Sequence, residues 1–138
     1  MYDRILLAVD HSDMSKRAVA VACDLARLSE GEVRVLHLRE RETGVRKVSM
    51  TDETVADANA VVTAALQVLA TAGVKARGEV RNTAYGCAAR EIANDAKDHD
   101  ADVIVMGSHG RGDLAGLVLG STTHKVIHLA DRPVLVIR

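Results

Sequence analysis

Residues 103–121 read VIVMGSHGRGDLAGLVLGS. An apolar run, Val103 to Met106, stops at Gly107, and glycines follow at 110, 112, 116 and 120. Ser121 and Thr122 then open a segment with helical character. A buried strand that feeds a glycine-rich loop and a helix start presents bare backbone N–H groups to an anion. The stretch therefore predicts strand, phosphate-cradling loop and helix, in that order.

Similar units flank it on the N-terminal side. Ile5 to Val9 is a continuous apolar run ending at Asp10, as in a central parallel strand covered on both faces. The turn-rich DHSDMS follows, with Ser12, Asp13 and Ser15 as candidate caps. A helix is predicted from there to about Ser29, stopped by Gly31. Val33–Leu38 predicts the second strand, and residues 39–50 a charged loop. The second helix is expected to start at Thr51 or Asp52. Its buried stripe is Val55, Ala58, Val62, Ala65, Leu66 and Leu69, and Gly73 ends it. Val74 to Val80 reads as a more polar edge strand, and Arg81 to Gly86 as a loop. A third helix turns Ala88, Ala89, Ile92, Ala93 and Ala96 inward. The fourth strand is Asp102–Met106 and the fourth helix Ser121–Ala130. Pro133 then precedes the last strand, Val134–Ile137. Alternating strands and helices joined by crossovers of this length predict one doubly wound α/β domain over residues 1–138. Ligands of such sheets lie at the carboxyl ends of strands where the winding reverses. With the first and fourth strands as neighbours, Asp10 and Gly107 would face each other across one crevice.

Composition narrows the partners. The chain has 138 residues, a formal net charge of −1 and two aromatic side chains, Tyr2 and Tyr85. It lacks both the basic excess and the stacking surface of a nucleic-acid binder. A purine would sit between aliphatic side chains and backbone. Cys23 and Cys87 read as small buried hydrophobes in helical patterns. The run Ile5–Val9 is too short to read as a signal peptide, no segment approaches the ~18 apolar residues of a membrane span, and a cytoplasmic location is expected.

The glycine loop is neither G-x-x-x-x-G-K-[ST] nor G-x-G-x-x-G. Its spacing is Gly107-x2-Gly110-x9-Gly120-Ser121. In this pattern the chain resembles the universal stress protein family, whose nucleotide-binding members carry G-x2-G-x9-G-[ST]. The resemblance extends to the opening strand with Asp10 and Ser12, to VLHL in the second strand, and to MGSHGR and RPVLVIR near the end. It implies a Rossmann-like five-stranded parallel sheet of order 3-2-1-4-5, with ATP between the first and fourth strands. Backbone around Ala8, Val9 and Leu38 would hold the adenine, with Met106 and Gly107 against base and ribose. Asp10 would lie near the ribose or hold Mg²⁺. Gly110, Gly120, Ser121 and Thr122 would wrap the phosphates. Glycines at 107 and 110 are expected to admit backbone close to the ligand. The resemblance also implies a homodimer through Val134, Leu135, Val136 and Ile137, an apolar edge that requires cover.

Other positions carry competing readings. His109 and Arg111 are candidate phosphate contacts, Arg111 equally a solvated side chain, and His109 lacks an evident carboxylate orienter for catalysis. Asp113 either repels phosphate, helps hold a metal, or points outward. His124 and His128 have i, i+4 metal spacing but no evident third ligand, so exposed polarity is expected. His37 reads as packed, near the crevice. Arg39, Arg41, Arg46 and Lys47 read as a solvated loop rather than a lid, and Arg132 as neutral. The leading expectation is an ATP-binding, stress-response regulatory module with little or no catalysis. The alternatives are a slow ATPase or nucleotide transferase, a cyclic AMP or AMP binder, and a ligand-free dimeric interaction protein.

Overall fold

The computed structural model describes residues 1–41, 53–109 and 119–138. Its elements run β1 (Arg4–Ala8), α1 (Asp13–Ser29), β2 (Glu32–Arg41), α2 (Val55–Thr71), β3 (Ala76–Ala84), α3 (Ala88–Asp98), β4 (Val103–Gly107), α4 (Ser121–Leu129) and β5 (Val134–Ile137). The five strands form one parallel sheet of order β3-β2-β1-β4-β5, the expected doubly wound topology. Alternation along β1 explains its unbroken apolar run. Ile5 and Leu7 pack toward α1 and α2, while Leu6 packs toward α3 and the buried Val126 of α4. Among the described residues no helix is long and apolar enough to cross a membrane.

Local chemistry sets the helix starts. Ser12 Oγ accepts the Ser15 N–H at 3.1 Å, and Asp10 Oδ1 accepts the Ser12 N–H at 2.8 Å. The second helix begins after Thr54, whose hydroxyl forms a capping box with Asp57. Thr51 and Asp52 lie outside the described residues. Gly73 ends α2 in the left-handed region (φ +77°), as its lack of a Cβ permits.

Several expectations are corrected. Glu30, not Gly31, takes the left-handed conformation after α1. Gly31 is small for another reason: a Cβ there would lie 2.6 Å from the Tyr2 carbonyl oxygen. Strands β2 and β3 pair as far as Arg41↔Ala84, so β3 starts later than Val74 and absorbs much of the expected 81–86 loop. Val55 is exposed and outside the α2 stripe, whereas Ala58, Val62, Ala65 and Leu69 are buried. On α4, Ile127 and Leu129 are exposed and only Val126 among the apolar residues is buried. Cys23 is buried as expected, but Cys87 is partly exposed at the N-cap of α3. Arg132 is not neutral. Its guanidinium donates to the carbonyls of Ala96 and Ala101, both at 2.8 Å, and so stitches the end of α3 to the approach to β4.

Patterning also missed a buried charge. Asp95 of α3 is 1% exposed and takes a bidentate pair of hydrogen bonds from Arg34 of β2, at 2.8 and 2.9 Å. Arg81 of β3 adds a third at 2.8 Å. Glu79 bonds both arginines. Burial alone would raise the Asp95 pKa, but the hydrogen bonds from Arg34 and Arg81, with the charges of Arg34 and His99, outweigh it and hold it below the ordinary value. Hydrogen bonding from Arg81, joined by Arg34, likewise lowers that of Glu79.

Removing the buried carboxylate leaves two partly exposed arginines paired only by Glu79 and Glu91, and puts an amide in a pocket built for a charge. Asp95→Asn is expected to cost about 3–5 kcal/mol in denaturant unfolding. Both carboxyls titrate lower in the folded than in the unfolded chain, so their stabilisation is complete above about pH 4–5 and fades as pH falls below that range. The wild-type advantage over Asp95→Asn should shrink across that acidic window; an advantage independent of pH would refute the pairing. Arg132→Ala should lower unfolding stability by about 1.5–3 kcal/mol, because two carbonyls lose a charged donor.

Candidate functional site

Strands β1 and β4 lie side by side in parallel, with Ala8 opposite Met106. Their carboxyl ends open onto a crevice of about 460 Å³. This is the point where the winding reverses, since β1 is followed outward by β2 on one side and by β4 on the other. Of the residues expected there, Ala8, Val9, Asp10, Leu38, Met106, Gly107, Gly120, Ser121 and Thr122 all line it. His109 does not. Its Nδ1 lies 2.8 Å from the hydroxyl of the buried Ser108, and its Nε2 is buried with no partner among the described residues. Gly110, Arg111, Gly112, Asp113 and Gly116 fall outside the described residues, as do Arg46 and Lys47.

Gly107 is held where it is by packing. A Cβ there would come within 2.8 Å of Met14 Cβ and 3.0 Å of the Met14 carbonyl carbon. The missing side chain thus lets the first turn of α1 seat against the end of β4, a different reason from ligand approach. Thr123 completes the corner by donating its hydroxyl to the Gly107 carbonyl at 2.8 Å. The Gly120 N–H donates to the Ser108 carbonyl at 2.8 Å. These bonds bring the start of α4 beside the end of β4.

The helices around the crevice differ at their N-termini. Side chains cap α1 and α2, but among the described residues no side chain caps α3 or α4. The first turns of α3 and α4, through Ala88, Ala89 and Ser121–Thr123, both line the crevice. An uncapped first turn keeps unpaired N–H groups and the positive end of the helix dipole. Asp10 meets them from the other wall. Its Oδ1 is committed to Ser12, while Oδ2 takes no hydrogen bond from the described residues.

Four contributors escaped the sequence reading. Lys125 lines the crevice one turn into α4 and makes no ion pair with the described residues. It lies beyond the position that phosphate-loop patterns examine, and only the helical repeat from Ser121 could have flagged it. Tyr85 stands exposed at the crevice, so one aromatic ring is on hand that the composition argument set aside. Glu40 accepts the Gly86 N–H at 2.7 Å and fixes the β3–α3 corner. The fourth is a polar cluster, of which only His37, packed and near the crevice, was expected. His37, 4% exposed on β2, has Nδ1 at 2.7 Å from the Val9 carbonyl and Nε2 at 2.6 Å from Glu53 Oε1. His11 Nε2 approaches the same oxygen, also at 2.6 Å. Arg39 donates to the Glu53 carbonyl at 2.8 Å, so this residue of the expected loop instead anchors the approach to α2. His124 and His128 are exposed on α4, as expected, with ring centroids 4.7 Å apart.

Known proteins share this architecture. Universal stress protein YxiE of Bacillus subtilis is 38% identical over 149 aligned residues that span all of both chains. The structure of UspA, a universal stress protein from Lactobacillus plantarum, superposes with a TM-score of 0.83 at 24% identity, covering 99% of this chain and 98% of that one. A universal stress protein from Archaeoglobus fulgidus, solved in complex with dAMP, superposes with a TM-score of 0.75 at 26% identity, with the same coverage. The family model of the universal stress proteins matches residues 1–138. The chain belongs to the universal stress protein family.

Proposed function

We propose that residues 1–138 act as one nucleotide-binding domain that holds ATP in the β1/β4 crevice. In this reading the protein is a cytoplasmic stress-response regulator with little or no turnover. The observation that carries it is the meeting of the β1, β2 and β4 ends with the uncapped start of α4 in one crevice. Its volume of about 460 Å³ is in the range of small-molecule sites, about 300–1,000 Å³. The Archaeoglobus relative with bound dAMP supports an adenine nucleotide as the ligand class. Backbone at Ala8, Val9 and Leu38 would take the base, and the first turn of α4 at Gly120–Thr122 the phosphates, with Gly110 and Arg111 of the glycine loop. His109 enters this role only if its ring turns away from Ser108. The free Oδ2 of Asp10 fits a Mg²⁺ ion of the kind held by one carboxylate and the nucleotide phosphates. That ion would neutralise phosphate charge.

Lys125 supplies an exposed cation beside the start of α4, and this favours a slow ATPase as the second reading. Phosphate release by the wild type that disappears in Asp10→Ala would establish it. Background release with binding retained would leave a binding module. Titration calorimetry should show ATP binding, with Lys125→Ala weakening ATP about three- to tenfold and AMP or cyclic AMP less, since an exposed cation acts on the outer phosphates. No binding of any of the three nucleotides would leave the interaction-protein reading.

We also propose a homodimer formed by antiparallel pairing of two β5 edges. Strand β5 is one of the sheet's two outer strands, and Leu135 on it is 40% exposed. Light scattering at micromolar concentration should give the mass of two chains, and Leu135→Lys, a charge on the edge, should shift it toward one. A wild-type mass of one chain would refute the dimer.

A further inference from the structure

The carbonyl of Val9 can only accept, so His37 Nδ1, 2.7 Å away, carries the proton. A neutral His37 ring then presents the bare lone pair of Nε2, and that atom lies 2.6 Å from a carboxylate oxygen of Glu53. Two acceptors at this distance need a positive species between them. His11 Nε2 reaches the same oxygen from the loop after β1, at 2.6 Å. Three ligand atoms from three separate segments thus converge, all within 4.8 Å of one another.

We propose that His11, His37 and Glu53 form a site for a divalent transition metal of the zinc class. Two imidazoles and one carboxylate are a borderline-soft donor set that suits zinc, and three protein ligands leave a fourth position open. A tetrahedral ion bonded at about 2.0–2.1 Å holds its ligand atoms roughly 3.4 Å apart. The two short separations must widen and the longest must close, which rotation of the His11 and Glu53 side chains accomplishes. The buried ring is already oriented. A metal-bound histidine characteristically donates its other N–H to a carbonyl or carboxylate, as His37 does to Val9. The carbonyl of Glu53, held by Arg39, steadies the third ligand's backbone. All three side chains line the crevice, so the open position faces the space that receives the ligand. This site is separate from Asp10 and uses none of the glycine loop.

The test is calorimetric titration of the chelator-treated full chain with Zn²⁺, without nucleotide, with Co²⁺ absorption as a second probe of coordination. One Zn²⁺ per chain is expected, with visible Co²⁺ bands of a four- or five-coordinate nitrogen–oxygen site. His11→Ala and Glu53→Gln should each weaken Zn²⁺ binding at least tenfold, a loss at the lower bound for disturbing such a site. His11 is partly exposed in a loop, and glutamine matches glutamate in size, so both variants test the ligands with little demand on folding. His124→Ala is the control for the other histidine pair and should bind as the wild type does. Absence of one-to-one binding, unchanged affinity in both His11→Ala and Glu53→Gln, or loss confined to His124→Ala would overturn the assignment; the positive species between His37 and Glu53 would then be a proton. None of these outcomes depends on ATP binding.

Discussion

The parallel pairing of β1 with β4 is the constraint on which the rest of the molecule depends. The middle residues of both strands are buried on both faces, so their side chains serve the core, and only the carboxyl-terminal Ala8, Met106 and Gly107 reach the crevice. Polar chemistry is displaced to their carboxyl ends, where Gly107 closes β4 and Asp10 follows β1. Winding that proceeds outward in opposite directions from this pair keeps crossovers from covering the gap. The crevice is therefore a consequence of chain topology.

How closely its walls approach depends on small residues and local caps. Gly107 lets the first turn of α1 lie against β4, and Thr123 bonds the Gly107 carbonyl from α4. Helices α1 and α2 satisfy their own N-termini with Ser12 and Thr54. Helix α4 has no side chain to do so, and its first turn lines the crevice. The first turn of α4 thus brings its N-terminal end to the crevice without a capping side chain from its N-cap residue, Gly120.

Two polar clusters hold β2 in register with its neighbours. Arg34, Glu79, Arg81 and Asp95 tie α3 across β2 and β3. Nearer the crevice, His11, His37 and Glu53 connect the loop after β1, strand β2 and the approach to α2. Their sequence separations range from 16 to 61 residues for the pairs centred on His37 and Arg34, so neither cluster produces a local motif. Each becomes visible only when the strands are aligned.

The strand and helix order, the central position of β1, the capping role of Ser12 and part of the crevice lining were legible in the sequence. Apolar runs and glycine punctuation are local signals, and a parallel sheet buries such runs wherever they occur. Asp95 escaped because an acidic residue in a helix ordinarily faces water, and only paired arginines from two strands make its burial tolerable. Arg132 escaped because the carbonyls it binds, at Ala96 and Ala101, are more than 30 residues away. Lys125 and Glu53 reach the crevice by helical geometry and by the seating of α2. The sequence by itself determined the alternation of strands and helices, because periodicity and chain order are local signals, while the strand order and the backbone contributors to the crevice came from the family resemblance. Which charged and imidazole side chains surround that crevice was decided only by the tertiary structure, because long-range register, not spacing, brings them together.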